Sequence, residues 1–148
     1  MSAEQDHFDE TADVVVVGSG GAALTAAYTA ASSGLSTIVL EKTQYFGGTS
    51  AYSGASIWLP GNQALKRAGL ADSVELGRAY FTAVVGDRTP AELQDAFLST
   101  GPELVEFLEK DPALEFQYIP FPDYFEAPGR FDGGRSITPA PLPSAELG

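Results

Sequence analysis

Val14-Val15-Val16-Val17-Gly18-Ser19-Gly20-Gly21-Ala22-Ala23 decides how this chain folds. Four consecutive β-branched residues running into glycine read as a strand covered on both faces of a parallel sheet. Gly18, Gly20 and Ala23 then fit the spacing G-x-G-x-x-A. Downstream, Gly21 to Ser33 is rich in alanine, with Leu24 and Tyr28 on one face. Gly34 stands where a left-handed C-cap belongs, so this stretch reads as a helix. Ser36 to Glu41, S-T-I-V-L-E, repeats the strand signature after a short turn. Strand, helix and strand form a βαβ unit with an expected right-handed crossover.

In that context each small residue of the turn has a steric task. Gly18 permits the tight turn, Gly20 lets the backbone approach a pyrophosphate, and Ala23 keeps the helix close to the strand. Ser19, Gly21 and Ala22 complete the loop, and the helix N-terminus behind them favours negative charge. Glu41 closes the second strand at the spacing where a carboxylate accepts hydrogen bonds from a ribose hydroxyl. Lys42 and Thr43 follow it, and Lys42 reads equally well as a solvated cation. The next segment, Phe46-Gly47-Gly48-Thr49-Ser50-Ala51-Tyr52-Ser53-Gly54, separates FAD from NAD, because its small residues and hydroxyls suit a backbone lying along a long cofactor. Amides at Gly48 and Thr49 and hydroxyls of Thr49 and Ser50 suit diphosphate and ribitol oxygens. Taken singly, these features also read as a plain glycine turn, a solvated carboxylate and an irregular surface loop. In this order and context they point to FAD.

The composition narrows the remaining classes. With 148 residues, 44% hydrophobic and 19% charged, the chain is expected to form one soluble globular domain. Its 20 acidic residues against 8 basic ones give a formal charge of -12, which repels a phosphate backbone and argues against nucleic acid as a partner. Cysteine is absent and the one histidine, His7, lies in an acidic leader, which argues against disulfides, thiolate chemistry and a metal site. Residues 1–12 read as that flexible leader and 13–148 as part of an FAD-binding domain. The leader does not resemble a secretory signal, and no apolar run approaches the ~20 residues of a transmembrane segment. A cytoplasmic location follows, with peripheral membrane contact left open.

From Thr43 to Gly61 the helical and strand periods vanish, and an extended loop is expected. Helices resume afterwards. Thr89-Pro90-Ala91-Glu92 has the form of a capping box with proline at the first helical position, and Thr100-Gly101-Pro102-Glu103 repeats the T-x-x-E form. They predict two consecutive helices up to about Lys110, the second burying Leu104, Val105, Phe107 and Leu108. Glu115 to Ile119 reads as a short strand. Prolines 120, 122, 128, 139, 141 and 143 and glycines 129, 133 and 134 argue against regular structure beyond it. The expected fold class is thus α/β: a Rossmann-type FAD-binding βαβ unit with an incomplete sheet, followed by helices and a Pro/Gly-rich irregular C-terminal segment. Two parallel strands with one helix leave apolar strand faces uncovered, which points to a fragment of a longer protein.

The strings V-V-V-V-G-S-G-G-A-A-L-T-A-A-Y-T-A, I-V-L-E-K-T, F-G-G-T-S-A-Y-S-G-A-S-I-W-L-P-G-N, F-P-D-Y-F and G-R-S-I-T-P closely resemble the 3-ketosteroid Δ1-dehydrogenases from about Asp13 onward. That family belongs to the fumarate reductase and succinate dehydrogenase flavoprotein group, with which it shares the fingerprint and G-G-T-S. The resemblance implies an FAD-dependent oxidoreductase of steroid and lipid degradation, with a 3-ketosteroid as substrate and an electron acceptor that the sequence leaves unknown. It implies FAD contacts at Gly18, Gly20, Glu41, Lys42, Gly48, Thr49 and Ser50, with Ser53 and Gly54 near the isoalloxazine. Ser56 and Phe121 would line the steroid cleft. Tyr124 of F-P-D-Y would assist a second tyrosine that removes a C2 proton while flavin N5 accepts hydride from C1. That second tyrosine, and the tyrosine and glycine amide that polarise the 3-keto oxygen, lie outside this chain. Two alternatives stand beside this reading. One is a fumarate-reductase-like enzyme acting on small dicarboxylates, which wants an arginine-lined pocket; of Arg67, Arg78, Arg88, Arg130 and Arg135 only the last two lie near the proposed site, and the rest of the protein decides it. The other is a truncated FAD-binding fragment without catalysis.

Overall fold

The computed structural model describes residues 8–141, so His7, most of the acidic leader and Pro143 lie outside the described residues. Two compact units divide the chain, residues 1–54 and 55–148, where length and composition had pointed to one.

In the first unit, β1 (Val14–Val17), α1 (Gly21–Ser32), β2 (Thr37–Leu40) and α2 (Gly48–Tyr52) follow in order. β1 and β2 pair in parallel, with Val14 opposite Thr37 and Val17 opposite Leu40. Asp13 clamps the open end: its Oδ2 accepts from Ser36 N at 2.9 Å and from Ser36 Oγ at 2.6 Å, and these bonds hold its pKa below the ordinary value. α1 ends in a Schellman motif. Gly34, at φ 83°, donates to the Ala31 carbonyl, and Leu35 donates to that of Ala30. Only Ala27 of α1 is buried, while Val15, Val17 and Leu40 are 54%, 81% and 52% exposed. Such values are what an unfinished sheet predicts. The expected loop from Thr43 to Gly61 contains α2 and a short strand. Gly47 and Gly48 at the start of α2 carry low helix propensity, and a bond from Gly21 N to Ser50 Oγ, 3.0 Å, ties this turn to α1.

The second unit contains β3 (Ile57–Trp58), α3 (Gln63–Arg67), α4 (Val74–Val85), α5 (Ala91–Leu108), β4 (Phe116–Ile119) and β5 (Ser136–Pro139). Its three strands form an antiparallel sheet in the order β3-β5-β4, with Ile137 paired to both Ile57 and Tyr118. Leu59, Ala64, Leu65, Val105, Phe116 and Ile137 form the core, with Leu70, Leu108 and Tyr118 against it. Asn62 is fully buried and caps α3 by accepting from Ala64 N and Leu65 N, while its Nδ2 donates to the Leu59 carbonyl. Ser73 caps α4.

Three expectations fail in this unit. α5 is one helix through Pro102, not two. Gly101 is there because a β-carbon would lie 2.8 Å from Leu59 Cδ2, so the glycine marks a close approach and not a break. Nor does Thr89 cap α5: Pro90 occupies the N-cap with no side-chain cap bond, and the Thr89 carbonyl instead accepts from Gln94 Nε2. The proline-rich C-terminal stretch also holds a strand, β5, the central one of its sheet. Pro139 is tolerated because it is the last residue of that strand, where a missing amide interrupts the ladder least.

Candidate functional site

The first unit carries a cleft of about 700 Å³ at the carboxyl ends of β1 and β2. Of the residues singled out from the sequence, Gly18, Ser19, Gly20, Glu41, Lys42, Thr43 and Gly48 line it. Gly21, Ala22, Gly47, Thr49, Ser50, Ser53 and Gly54 do not; they stand behind or beside the lining. Val17, Leu40, Tyr45, Phe46, Ala51 and Tyr52 also line the cleft and were not singled out. The signal for them was available, since Phe46 and Tyr52 are large apolar residues bracketing a glycine-rich segment.

Gly20 is the N-cap of α1, with no side chain to bond the first-turn amides and no acidic residue in that turn. The positive end of the helix is therefore left for a ligand. A β-carbon built on Gly18 or Gly20 meets nothing within 4 Å. Packing within the chain does not demand glycine at position 20; its bareness keeps the approach to the helix open. These residues fit the diphosphate of a dinucleotide.

Ser19 joins the three segments that make the cleft. It is 2% exposed; its Oγ donates to Glu41 Oε2 at 2.6 Å and accepts from Gly47 N at 2.9 Å. Glu41 Oε1 accepts from Thr43 N at 3.0 Å and Thr43 Oγ1 at 3.1 Å. Oε1 is thereby filled, while Oε2, which accepts only from Ser19, keeps lone-pair capacity for a ribose hydroxyl. Ser50 is less free than expected, because its Oγ already accepts from Gly21 N, and Ser53 Oγ donates to the Ser50 carbonyl. Replacing Ser19 by alanine leaves the Gly47 amide without its acceptor, and a loss of about 1–3 kcal/mol is expected in denaturant unfolding.

The Ser19 hydroxyl first, and then the Thr43 amide and hydroxyl, hold the Glu41 pKa at about 2, against an ordinary 4.5. A carboxyl depressed on folding contributes stability that is complete above its unfolded-state value and lost as pH falls through the folded-state one. The contribution of Glu41 is thus expected to disappear between about pH 4.5 and 2. Carbon-13 NMR titration of its carboxyl checks this directly. A midpoint near 4.5 would contradict the arrangement.

A second cleft, about 520 Å³, lies wholly within the second unit, and Ser56, Phe121 and Tyr124 all line it. One wall is a ladder of stacked rings. Trp58 and Phe81 lie 5.6 Å apart at 20°, and Phe81 and Phe97 lie 5.3 Å apart at 17°. Val84, Val85 and Phe125 extend the apolar lining. Tyr124 is 78% exposed, with its ring edge-on to Phe125 at 5.0 Å.

Beneath this cleft runs a polar network that sequence reasoning missed. Asp123 Oδ1 accepts from Trp58 Nε1 at 2.8 Å, and Oδ2 accepts from Phe131 N at 3.1 Å and from the Arg135 guanidinium. Arg135 also donates to Asp72 Oδ1 at 2.8 Å and to the Gly129 carbonyl. All three charged side chains are at most 2% exposed. The adjacency of an aspartate to the tyrosine in F-P-D-Y was the only hint. Arg135 is therefore spent on two carboxylates, and Arg130 on Glu126 and Asp132. Arg135 is thus engaged by buried carboxylates, whereas the partners of Arg130 are exposed. No helix among the described residues is long and apolar enough to cross a membrane.

A glycine-bare helix N-terminus, an acidic residue at the end of the second strand and a glycine-rich third segment together fit a nucleotide cofactor. The chain belongs to the FAD binding domain family, whose model matches residues 13–148, and its cofactor is FAD. Among particular relatives, it is 60% identical over 136 residues to the 3-oxosteroid 1-dehydrogenase of Rhodococcus opacus, covering 92% of this chain and 27% of that protein. It is 44% identical over 139 residues to the 4-oxocyclohexanecarboxylate 2-dehydrogenase of Sinomonas cyclohexanicum, covering 93% of this chain and 24% of that protein. The crystal structure of 3-ketosteroid delta1-dehydrogenase from Sterolibacterium denitrificans in complex with 1,4-androstadiene-3,17-dione superposes with a TM-score of 0.79 at 35% identity, over 93% of this chain and 24% of that one. The chain thus spans about a quarter of the length of the relatives it matches.

Proposed function

We propose that this sequence forms the cofactor-holding part, and one wall of the substrate cleft, of an enzyme that desaturates the C1–C2 bond of 3-ketosteroids. The observation that carries the reading is the second cleft: Ser56, Phe121 and Tyr124, distant in sequence, share one apolar hollow walled by stacked rings. A flat, uncharged polycyclic ketone suits such a wall, and neither arginine nor lysine is among the described residues that line it. The names of the relatives, steroid and cyclohexanone dehydrogenases alike, share an oxidation beside a ring ketone.

In this reading Gly18, Gly20 and Gly48 admit the diphosphate of FAD, Glu41 accepts from the adenosine ribose, and Ser53 and Gly54 stand toward the isoalloxazine. When bound, FAD supplies the hydride acceptor that amino-acid side chains lack. Tyr124 places its phenol so as to hydrogen-bond the base that removes the C2 proton, favouring that base's charged form. The base and the donors on the 3-keto oxygen come from outside this chain.

The test is turnover by the full-length protein. It should purify yellow and reduce an artificial electron acceptor when given a 3-ketosteroid saturated at C1–C2, with the 1,2-unsaturated steroid as product. A yellow protein that turns over only small carboxylated ring ketones would replace the steroid reading. A yellow full-length protein inert to every ring ketone would overturn the proposed reaction.

A further inference from the structure

We propose that Asp123 is a positioning residue for Tyr124, tethering the backbone at its root so that the phenol enters the cleft in one direction. This rests on the role given to Tyr124 above.

Every polar atom of Asp123 is engaged. Its amide donates to the Phe131 carbonyl at 3.2 Å, and its carbonyl accepts from Arg130 Nε at 3.1 Å. Its carboxylate holds Trp58, Phe131 and Arg135 as described above, and its side chain is fully buried. On the other flank, Phe125 N donates to Tyr80 Oη at 2.8 Å, and Tyr80 is 6% exposed. The residues on both sides of Tyr124 are therefore anchored to buried groups, while Tyr124 itself is 78% exposed on the cleft. A fixed root with a free tip is what a side chain needs to meet a ligand without reordering its backbone.

The anchors have a second property. Trp58 and Tyr80 both line the same cleft. Trp58 is part of the ring ladder and at the same time donates to Asp123, so the wall that receives the substrate and the residue that aims the phenol share one hydrogen bond. Arg135 packs beneath them, its guanidinium carbon 5.9 Å from the Trp58 ring and 6.0 Å from that of Tyr80. Neutralising one arginine with two carboxylates is more than charge balance requires. Asp72 satisfies the Gly61 amide and Arg135 Nε, which leaves the second carboxylate to hold the tyrosine's segment.

The experiment is a double-mutant cycle in the full-length, flavin-loaded enzyme, using D123N, Y124F and the pair, with kcat and KM measured per bound flavin. Misplacing a reacting group by about an ångström costs on the order of 10²-fold. D123N is therefore expected to lower kcat roughly 10- to 100-fold with KM within about threefold, and to cause no further loss on top of Y124F. If the two losses multiply, Asp123 acts on the fold and not through Tyr124, and the inference is overturned while the role of Tyr124 stands. If Y124F alone leaves kcat unchanged, the reading of Tyr124 fails first and takes this one with it. Should D123N not accumulate as folded protein, Y80F removes only the acceptor of the Phe125 amide, and the same cycle with Y124F decides.

Discussion

Tyr124→Phe in the full-length protein is expected to cut kcat for a 3-ketosteroid by roughly 10²-fold or more, in the range that positioned acid–base groups contribute. The substitution removes one hydroxyl and nothing else. The ring's edge-on contact with Phe125 survives, and at 78% exposure the side chain contributes little to the core, so thermal stability should move by less than about 0.5 kcal/mol. If the phenol acts only as the proton leaves C2, kcat and kcat/KM fall together. A rise in KM with unchanged kcat would instead make Tyr124 an ordinary contact. Steady-state kinetics with an artificial acceptor, normalised to bound flavin, separate these outcomes.

The largest structural effect is expected from Gly134→Ala. Gly134 sits at φ 75°, where an L side chain costs roughly 1–2 kcal/mol before any contact is counted. A β-carbon there would also fall within bonding range of the Phe121 carbonyl and lie 3.2 Å from Pro122 Cα. These are backbone atoms and cannot rotate away. The segment that must yield is the one leading into Asp123 and Tyr124, and it is tied by the Asp123 network on one side and, through the Tyr118 hydroxyl, to the Gly133 carbonyl on the other. Loss of more than about 4 kcal/mol is expected, which ordinary domains rarely survive. Denaturant unfolding of the variant, or its absence from the soluble fraction, measures this. A variant of near-native stability would contradict this close approach between the 133–134 turn and Phe121.

How much of this was readable in the residues depends on how local each signal is. β1, α1 and β2 were legible almost to the residue, because a valine run, an alanine-rich helix and Gly34 act on their own neighbours. The short helix at Gly48–Tyr52 was not, since its glycines argue against a helix and Ser50 meets Gly21 only in the folded unit. At Pro102 the local string T-G-P-E imitates a helix start and conceals a continuous one. A longer window would have corrected it: Gln94, Leu98, Gly101 and Val105 are the buried positions of α5 and lie along a single face across the proline. β5 was hidden for a related reason. Pro139 and the glycines before it read as irregular, yet Ile137, fully buried between two strands, could be placed only by partners nearly 20 and 80 residues away.

The candidate sites divide along the same line. Steric demands on the backbone are written in the residues themselves, so the glycines at 18 and 20 could be found by inspection. The Arg135 network could not, because its members Asp72, Asp123 and Arg135 carry no spacing rule and are brought together only by folding.

The hydroxyl of Ser19 has one further consequence. Because its two bonds to Gly47 and Glu41 lie wholly within the chain, those segments are held together by the protein's own groups, and uptake of the flavin need not wait for them to find each other. Little conformational freedom remains to be surrendered at that moment. Reloading of stripped protein should accordingly follow encounter frequency, rising in proportion to flavin concentration with no plateau set by a slow rearrangement.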